Sequence, residues 1–181
     1  MSTPHPRAAQ PRGAADSPVT ARDRLASFPR VRLVLAPTPL HRAPGLSREL
    51  GVPVLFKRDD LAGVGLGGNK LRGLEYILAD LRARGCDSLV TGAGPQSNWT
   101  MLAALAALRY QIEPHVVCYG SAAASEGNMR LLRWLGVGVQ FTDNPDRSSV
   151  DAAIEAVAAA NSRTRARLSA TVRLTVTPTT W

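Results

Sequence analysis

Two short loops of small residues narrow the architectures open to this chain. Gly67-Gly68-Asn69-Lys70 lies between a strand-like Val54-Leu55-Phe56-Lys57-Arg58-Asp59-Asp60 and an apolar-periodic helix. Gly92-Ala93-Gly94-Pro95-Gln96-Ser97-Asn98 follows about thirty residues later, again between a strand and a helix. Strand, small-residue loop and helix repeated in this order argue for an α/β fold: a parallel sheet with flanking helices. In such a sheet both loops would stand at neighbouring C-terminal strand ends, the edge at which open α/β sheets bind ligands.

The rest of the chain keeps the alternation. Leu33 to Thr38 reads as extended and stops at Pro37 and Pro39. Ser47 to Leu50 is a helical turn and Val54 to Arg58 a strand. Leu71, Leu74, Ile77, Leu78 and Leu81 recur at spacings of three and four, which predicts an amphipathic helix over 70–84 closed by Gly85. Ser88–Thr91, His115–Tyr119 and Val137–Thr142 read as strands. Residues 99–110 are apolar nearly all round, so that helix should be buried on most sides. Glu126–Leu135 is a helix ended by Gly136, and Ser149 caps a last helix running to about Ala160. Val172, Leu174 and Val176 alternate as a strand would, but nothing follows to pair with or cover it.

Charge is informative only once it is located. The formal net charge is +8 over 181 residues. Residues 1–30 hold five Arg and two Asp, and residues 162–181 hold four Arg and no acid, whereas 31–161 hold thirteen basic and twelve acidic residues. The excess sits at the two ends. A nucleic-acid surface needs basic residues clustered on a folded face, so that class is excluded. No apolar run reaches the ~18 residues of a membrane span. Residues 1–30, rich in Pro, Ala and Arg at their start, read as a disordered leader. Cys86 and Cys118 form no C-x-x-C pair, and without a secretory signal they favour a reducing cytoplasm. Cys118 belongs to an apolar run and is expected to be a core thiol, whereas Cys86, at a helix end, is open to exposure.

The loops carry the chemistry. Asn69 is a good N-cap, which puts Lys70 in the first turn of its helix, where the dipole favours a neutral amine. A neutral amine is the nucleophile that Schiff-base chemistry with a carbonyl cofactor needs. The plain alternative is a solvated lysine at a helix start. The two glycines before it favour the chemical reading, because they leave room for a flat ligand against the backbone. The second loop, Gly-x-Gly-x-x-Ser, is a loosened dinucleotide fingerprint. A dinucleotide site also wants an acid after the next strand, and that strand ends at Tyr119-Gly120-Ser121. Gln96, Ser97 and Asn98 bring a hydroxyl and two amides to a helix N-terminus, a set able to bind a carboxylate or a phenolic oxygen. The alternative is a loop in which Ser97 and Asn98 satisfy only the helix.

Pro37-Thr38-Pro39-Leu40, Lys57-Arg58-Asp59-Asp60-Leu61, Gly67-Gly68-Asn69-Lys70, Gln96-Ser97-Asn98, and Gly127-Asn128 through Leu135-Gly136 occur in this order. Together they resemble the 1-aminocyclopropane-1-carboxylate deaminase / D-cysteine desulfhydrase family of pyridoxal-phosphate enzymes, over roughly residues 33–160. The resemblance implies a tryptophan-synthase-β-like, fold-type-II architecture, here incomplete, with pyridoxal 5'-phosphate as cofactor and a small amino acid as substrate. It implies that Lys70 carries the cofactor and moves a proton, with Asn69 beside it in the motif. Asn98 would bond the cofactor's phenolic oxygen and help hold the substrate, Ser97 would act in catalysis by binding the substrate carboxylate or by sitting over the ring near the reacting atoms, and Gln96 would shape the carboxylate pocket. Asp60 would fix the loop that follows it. A homodimer is implied for the full-length member.

Two departures stand out. Trp99 replaces the His or Gln usual in the family, where an indole would change substrate choice or block the site, and Met101 replaces a polar residue. Members also run to roughly twice this length. Their second half holds the glycine-rich phosphate loop and the tyrosines that act in catalysis. The organisation expected is therefore a leader over 1–30, the N-terminal part of the fold over 31–161, and an aberrant Arg/Thr-rich tail over 162–181. A truncated chain of weak or no activity follows from it. A different fold-type-II lyase or racemase, a non-catalytic α/β fragment and a dinucleotide-binding domain are the competing readings.

Overall fold

The computed structural model describes residues 20–122, 126–164 and 170–175. Most of the expected leader, residues 1–19, and parts of the expected tail, 165–169 and 176–181, lie outside them. Within the leader, Ala21–Ala26 (α1) is a short helix with Thr20 and Asp23 forming a capping box, and none of its residues is buried.

Four parallel strands build the main sheet in the order β5-β4-β3-β6: Cys86–Ala93 (β3), Glu113–Cys118 (β4), Gly138–Phe141 (β5) and Ala170–Thr175 (β6). Parallel neighbours need a crossover, and helices supply it. Asn98–Arg109 (α4) joins β3 to β4, Asn128–Trp134 (α5) joins β4 to β5, and Ser149–Thr164 (α6) precedes β6. Alternation along the strands sorts the core onto two faces. Leu89 packs with Lys70–Ala83 (α3) and α4, and Val116 and Cys118 pack with α4 and α5. Val90 and Val117, each one residue out of phase, pack against Val150, Ile154 and Ala158 of α6. Helix α4 is enclosed by β3, β4, α3 and α5. Its run of alanines lets all four approach, and Met101, Leu102, Ala103, Ala104, Ala106 and Ala107 are buried.

The α/β class and its parallel sheet agree with the sequence, but the strand read at Val54 to Arg58 is not part of that sheet. Leu55–Lys57 (β2) instead pairs antiparallel with Leu40–Arg42 (β1) in a separate two-stranded sheet, with Pro44–Leu50 (α2) between them. Both strands are exposed throughout. Residues 33–38 form no strand, and an Asp59–Leu61 3₁₀ turn follows β2. The strand that the sequence left without a partner is also corrected. It spans 170–175 and pairs with β3, setting Val172 opposite Leu89 and Leu174 opposite Thr91. Strand order then reverses beside β3, because the chain runs outward through β4 and β5 and returns to β3's other side.

Burial corrects the expectation for Cys86. It opens β3 and is buried, as is Cys118, and burial raises both thiols, Cys118 to about 11. Little thiolate forms at neutral pH in such surroundings. Both cysteines are expected to react with an aromatic disulfide reagent far more slowly in the native protein than in urea. Rapid native labelling of either would contradict this packing.

Candidate functional site

Lys70 is the first residue of α3 and Ser97 is the N-cap of α4. Both line one cleft of about 630 Å³, together with Gln96, Asn98 and Trp99. That size falls in the ordinary range for a small-molecule site. The cleft lies off the C-terminal end of β3, at the place where strand order reverses and open α/β sheets hold their ligands. The two loops therefore meet as expected, but by another route. Lys70 arrives because α3 packs against α4, not through a strand of the same sheet. Asn98 Nδ2 reaches the Gly67 carbonyl in a long contact of 3.5 Å, which spans the two loops.

The lysine loop is held from below by residues that the motif reading ranked differently. Asp59, not Asp60, is its fastener. The Asp59 carboxylate accepts from Arg72 Nε and Nη2, both at 2.7 Å, and from the Thr38 hydroxyl at 2.8 Å. Its backbone carbonyl accepts from Gly68 N at 2.7 Å. The Arg72 guanidinium, then Thr38, hold this carboxyl well below the usual carboxylate range. Lys57 Nζ donates to the Thr38 carbonyl, closing the network. Asp60 pairs with Arg58 on the surface. Asn69 occupies the N-cap position of α3, but it is itself helical and its side chain makes no capping bond. Lys70 is exposed, and its amine has no ion-pair partner among the described residues.

In the second loop Ser97 Oγ accepts from Trp99 N at 3.2 Å, so its hydroxyl does cap α4. It retains an O–H to donate and still faces the cleft. Asn98 begins the helix and makes no cap. Gln96 reaches the cleft wall, but its amide is engaged elsewhere, with Glu126 and Asn128. Trp99 is tethered: its indole N–H donates to buried Thr91 Oγ1 at 2.9 Å, and the ring packs on the α3–α4 core. Met101 is core. Ser149 opens α6, and its hydroxyl donates to the Asp146 carbonyl.

Two lining residues were not singled out from the sequence. Tyr119 follows β4 directly, and Arg147 stands in the β5–α6 connection. The signal available was position, since both fall in strand-to-helix connections opening on the same edge. A Cβ on Gly94 would stand 2.7 Å from the Tyr119 hydroxyl, so the loop and that ring are in close contact. Among the described residues no Asp or Glu lines the cleft, whereas Lys70 and Arg147 do. The amine, hydroxyl and amide of this set suit an anionic carbonyl compound such as pyridoxal 5'-phosphate.

Fold and cleft together define an α/β domain whose lysine-bearing cleft has the size and lining for a small anionic ligand. The family profile described as "Pyridoxal-phosphate dependent enzyme" matches residues 31–172, and the chain belongs to that family. It is similar to a putative 1-aminocyclopropane-1-carboxylate deaminase of Pyrococcus abyssi, 42% identical over 113 residues, covering 62% of this chain and 34% of the relative. It is also similar to the D-cysteine desulfhydrase of Salmonella paratyphi B, 49% identical over 74 residues, covering 41% of this chain and 23% of the relative. A crystal structure of an ACC deaminase homologue superposes with a TM-score of 0.76 at 35% identity, covering 82% of this chain and 45% of that one. Maize serine racemase, at 19% identity and a TM-score of 0.55, shares the fold. The chain spans about a third or less of the length of these two curated relatives.

Proposed function

We propose that the cleft serves a pyridoxal-phosphate-dependent lyase or deaminase of small amino acids, of D-cysteine desulfhydrase or 1-aminocyclopropane-1-carboxylate deaminase type, releasing ammonia and a 2-oxo acid, with sulfide as well where the substrate is D-cysteine. The observation that carries this is the meeting of Lys70 with Ser97 and Asn98 in one cleft at the strand-order reversal. The cofactor, when bound, supplies the electron sink. The protein supplies the rest. Lys70 Nζ anchors the cofactor and afterwards moves a proton. The Asn98 amide, next to Asn69 and Lys70 through the Gly67 contact, donates toward the phenolic oxygen. Ser97 Oγ donates to the substrate carboxylate at the N-terminus of α4, where an anion is favoured. Trp99, fastened to Thr91, forms wall and does not swing across the cleft.

The same reading includes a cytoplasmic location and a homodimer for the full-length protein. It also holds that the 181-residue chain alone binds the cofactor weakly and turns over little. The resemblance places the phosphate-holding loop in stretches of the relatives that this chain does not cover, and catalytic gain depends on preorganised groups acting together.

Mixing the chain with pyridoxal 5'-phosphate is expected to give a visible absorbance band that borohydride fixes to Lys70, and Lys70→Ala should abolish the fixed label. Absence of any label at Lys70 would favour a non-catalytic α/β fragment. Release of 2-oxo acid from D-cysteine or 1-aminocyclopropane-1-carboxylate is expected to be slow or undetectable. Rapid turnover that disappears in Lys70→Ala would overturn the weak-activity part alone.

A further inference from the structure

Gln96 departs furthest from the role that resemblance gives it. Its Nε2 donates to the Glu126 carbonyl at 2.9 Å, and its Oε1 accepts from Asn128 N at 2.9 Å. In return, Asn128 Nδ2 donates to the Gln96 backbone carbonyl at 3.0 Å. Each side chain thus binds the other residue's backbone. The arrangement works as a capping box, except that its halves lie in two loops about thirty residues apart. It also answers a local need. The N-cap of α5 is Gly127, which has no side chain to satisfy the first amides of that helix, and Gln96 takes up one of them from across the gap.

The fit leaves no room for alternatives at Gly127. Its φ is +55°, and a Cβ there would stand 2.4 Å from Gln96 Oε1. Gln96 is followed at once by Ser97 and Asn98. The bond from the Asn128 side chain to the Gln96 carbonyl therefore holds the backbone just ahead of the two residues from which the cleft's hydroxyl and amide project. We infer that Gln96 and Asn128 form a positioning pair, which locks the start of α5 to the Gly94–Asn98 loop and presents Ser97 and Asn98 to the ligand already ordered. Gln96 acts on the ligand only through them. The inference rests on the reading of the cleft as the pyridoxal-phosphate site. A loop held in its binding conformation does not lose ordering entropy when ligand arrives, so losing the clasp shows first in affinity.

The test titrates the 181-residue chain with pyridoxal 5'-phosphate, following the visible absorbance, in Gln96→Ala, Asn128→Ala and the double variant. Hydrogen exchange at the amides of 97–99 and the urea midpoint are read alongside. Each single variant is expected to weaken uptake roughly 5- to 30-fold, the range for one or two lost hydrogen bonds. The double variant should be no more than about threefold worse than Gln96→Ala, since linked residues are non-additive. Exchange at 97–99 should quicken in all three. Asn128 does not line the cleft, so wild-type affinity in Asn128→Ala beside a loss in Gln96→Ala would overturn the inference and return Gln96 to direct contact. A wild-type chain that takes up no cofactor would sink the reading of the cleft instead. The clasp would then be judged on exchange, and unchanged rates at 97–99 in both single variants would overturn it.

Discussion

Replacing Glu75 by alanine is expected to cost about 3–5 kcal/mol of folding stability, a large share of the ~5–15 kcal/mol typical of a domain. Glu75 is 3% exposed in the middle of α3, on the stripe that also carries Leu71, Leu74 and Leu78. Its Oε1 accepts from Leu33 N and Val34 N, both at 2.9 Å, while its own carbonyl accepts from Val31 N. Arg30, half exposed, adds an ion pair at 3.3 Å that contributes little by itself. Removing the carboxylate strands two backbone donors in the interior, each costing about 1–3 kcal/mol, and leaves a hole beside them. Glu75→Gln keeps an acceptor in place and should cost only ~1–2 kcal/mol, the difference between a charged and a neutral partner. Urea unfolding of both variants checks this. An alanine variant within about 1 kcal/mol of wild type would mean that segment 31–34 is held by something else.

Glu75 also marks the limit of what periodicity reveals. The α3 stripe was legible because leucines recur every three and four residues, and α4 because nearly every position is apolar. A carboxylate on the stripe breaks the pattern, and that break was the available signal. What it binds is backbone forty residues earlier, which local pattern does not encode. The strands divide in the same way. β3, β4 and β5 alternate with short connections, so propensity and pairing agree. Leu55-Phe56-Lys57 has strand propensity too, but nothing local says that its partner is Leu40–Arg42 rather than the parallel sheet. The strand at 170–175 was visible as alternation, and its partner, β3, lies some eighty residues away in sequence.

The site was legible to a similar depth. Glycine before a helix-initial lysine, and Ser-Asn before a helix, are local signals of ligand approach, and the structure brings both to one cleft. The fastening is not local. Asp59 and Asp60 are chemically alike, and only the position of Arg72 on α3 decides that Asp59 holds the loop. Gln96 looked like a ligand group because a free amide beside a serine would be one. Asn128, thirty-two residues on, gives that amide its structural task.

Gly67→Ala is expected to be the most damaging single methyl that can be added near the site. Gly67 has φ +70°, a region that costs a non-glycine residue ~1–2 kcal/mol. The larger effect is steric. A Cβ would lie 2.0 Å from the Asp60 carbonyl oxygen, a backbone atom with no rotamer to yield. That backbone is pinned at both ends: Gly67 N donates to the Val64 carbonyl at 3.0 Å, and Gly68 N to the Asp59 carbonyl at 2.7 Å. Relief of the clash must break one of these bonds or move the loop, adding about 1–3 kcal/mol to the conformational cost. The loop ends at Lys70, so the shift moves the amine proposed to carry the cofactor, and borohydride-fixed cofactor should fall further than stability does. Gly73→Ala, six residues on in α3, is the control. Nothing stands within 4 Å of its Cβ, and its helical backbone favours alanine by roughly 0.5–1 kcal/mol. The same methyl should therefore destabilise at 67 and stabilise at 73, as read from their urea midpoints. A Gly67→Ala chain that unfolds with the wild type and labels normally at Lys70 would show that the turn over Asp60 is not what places the lysine.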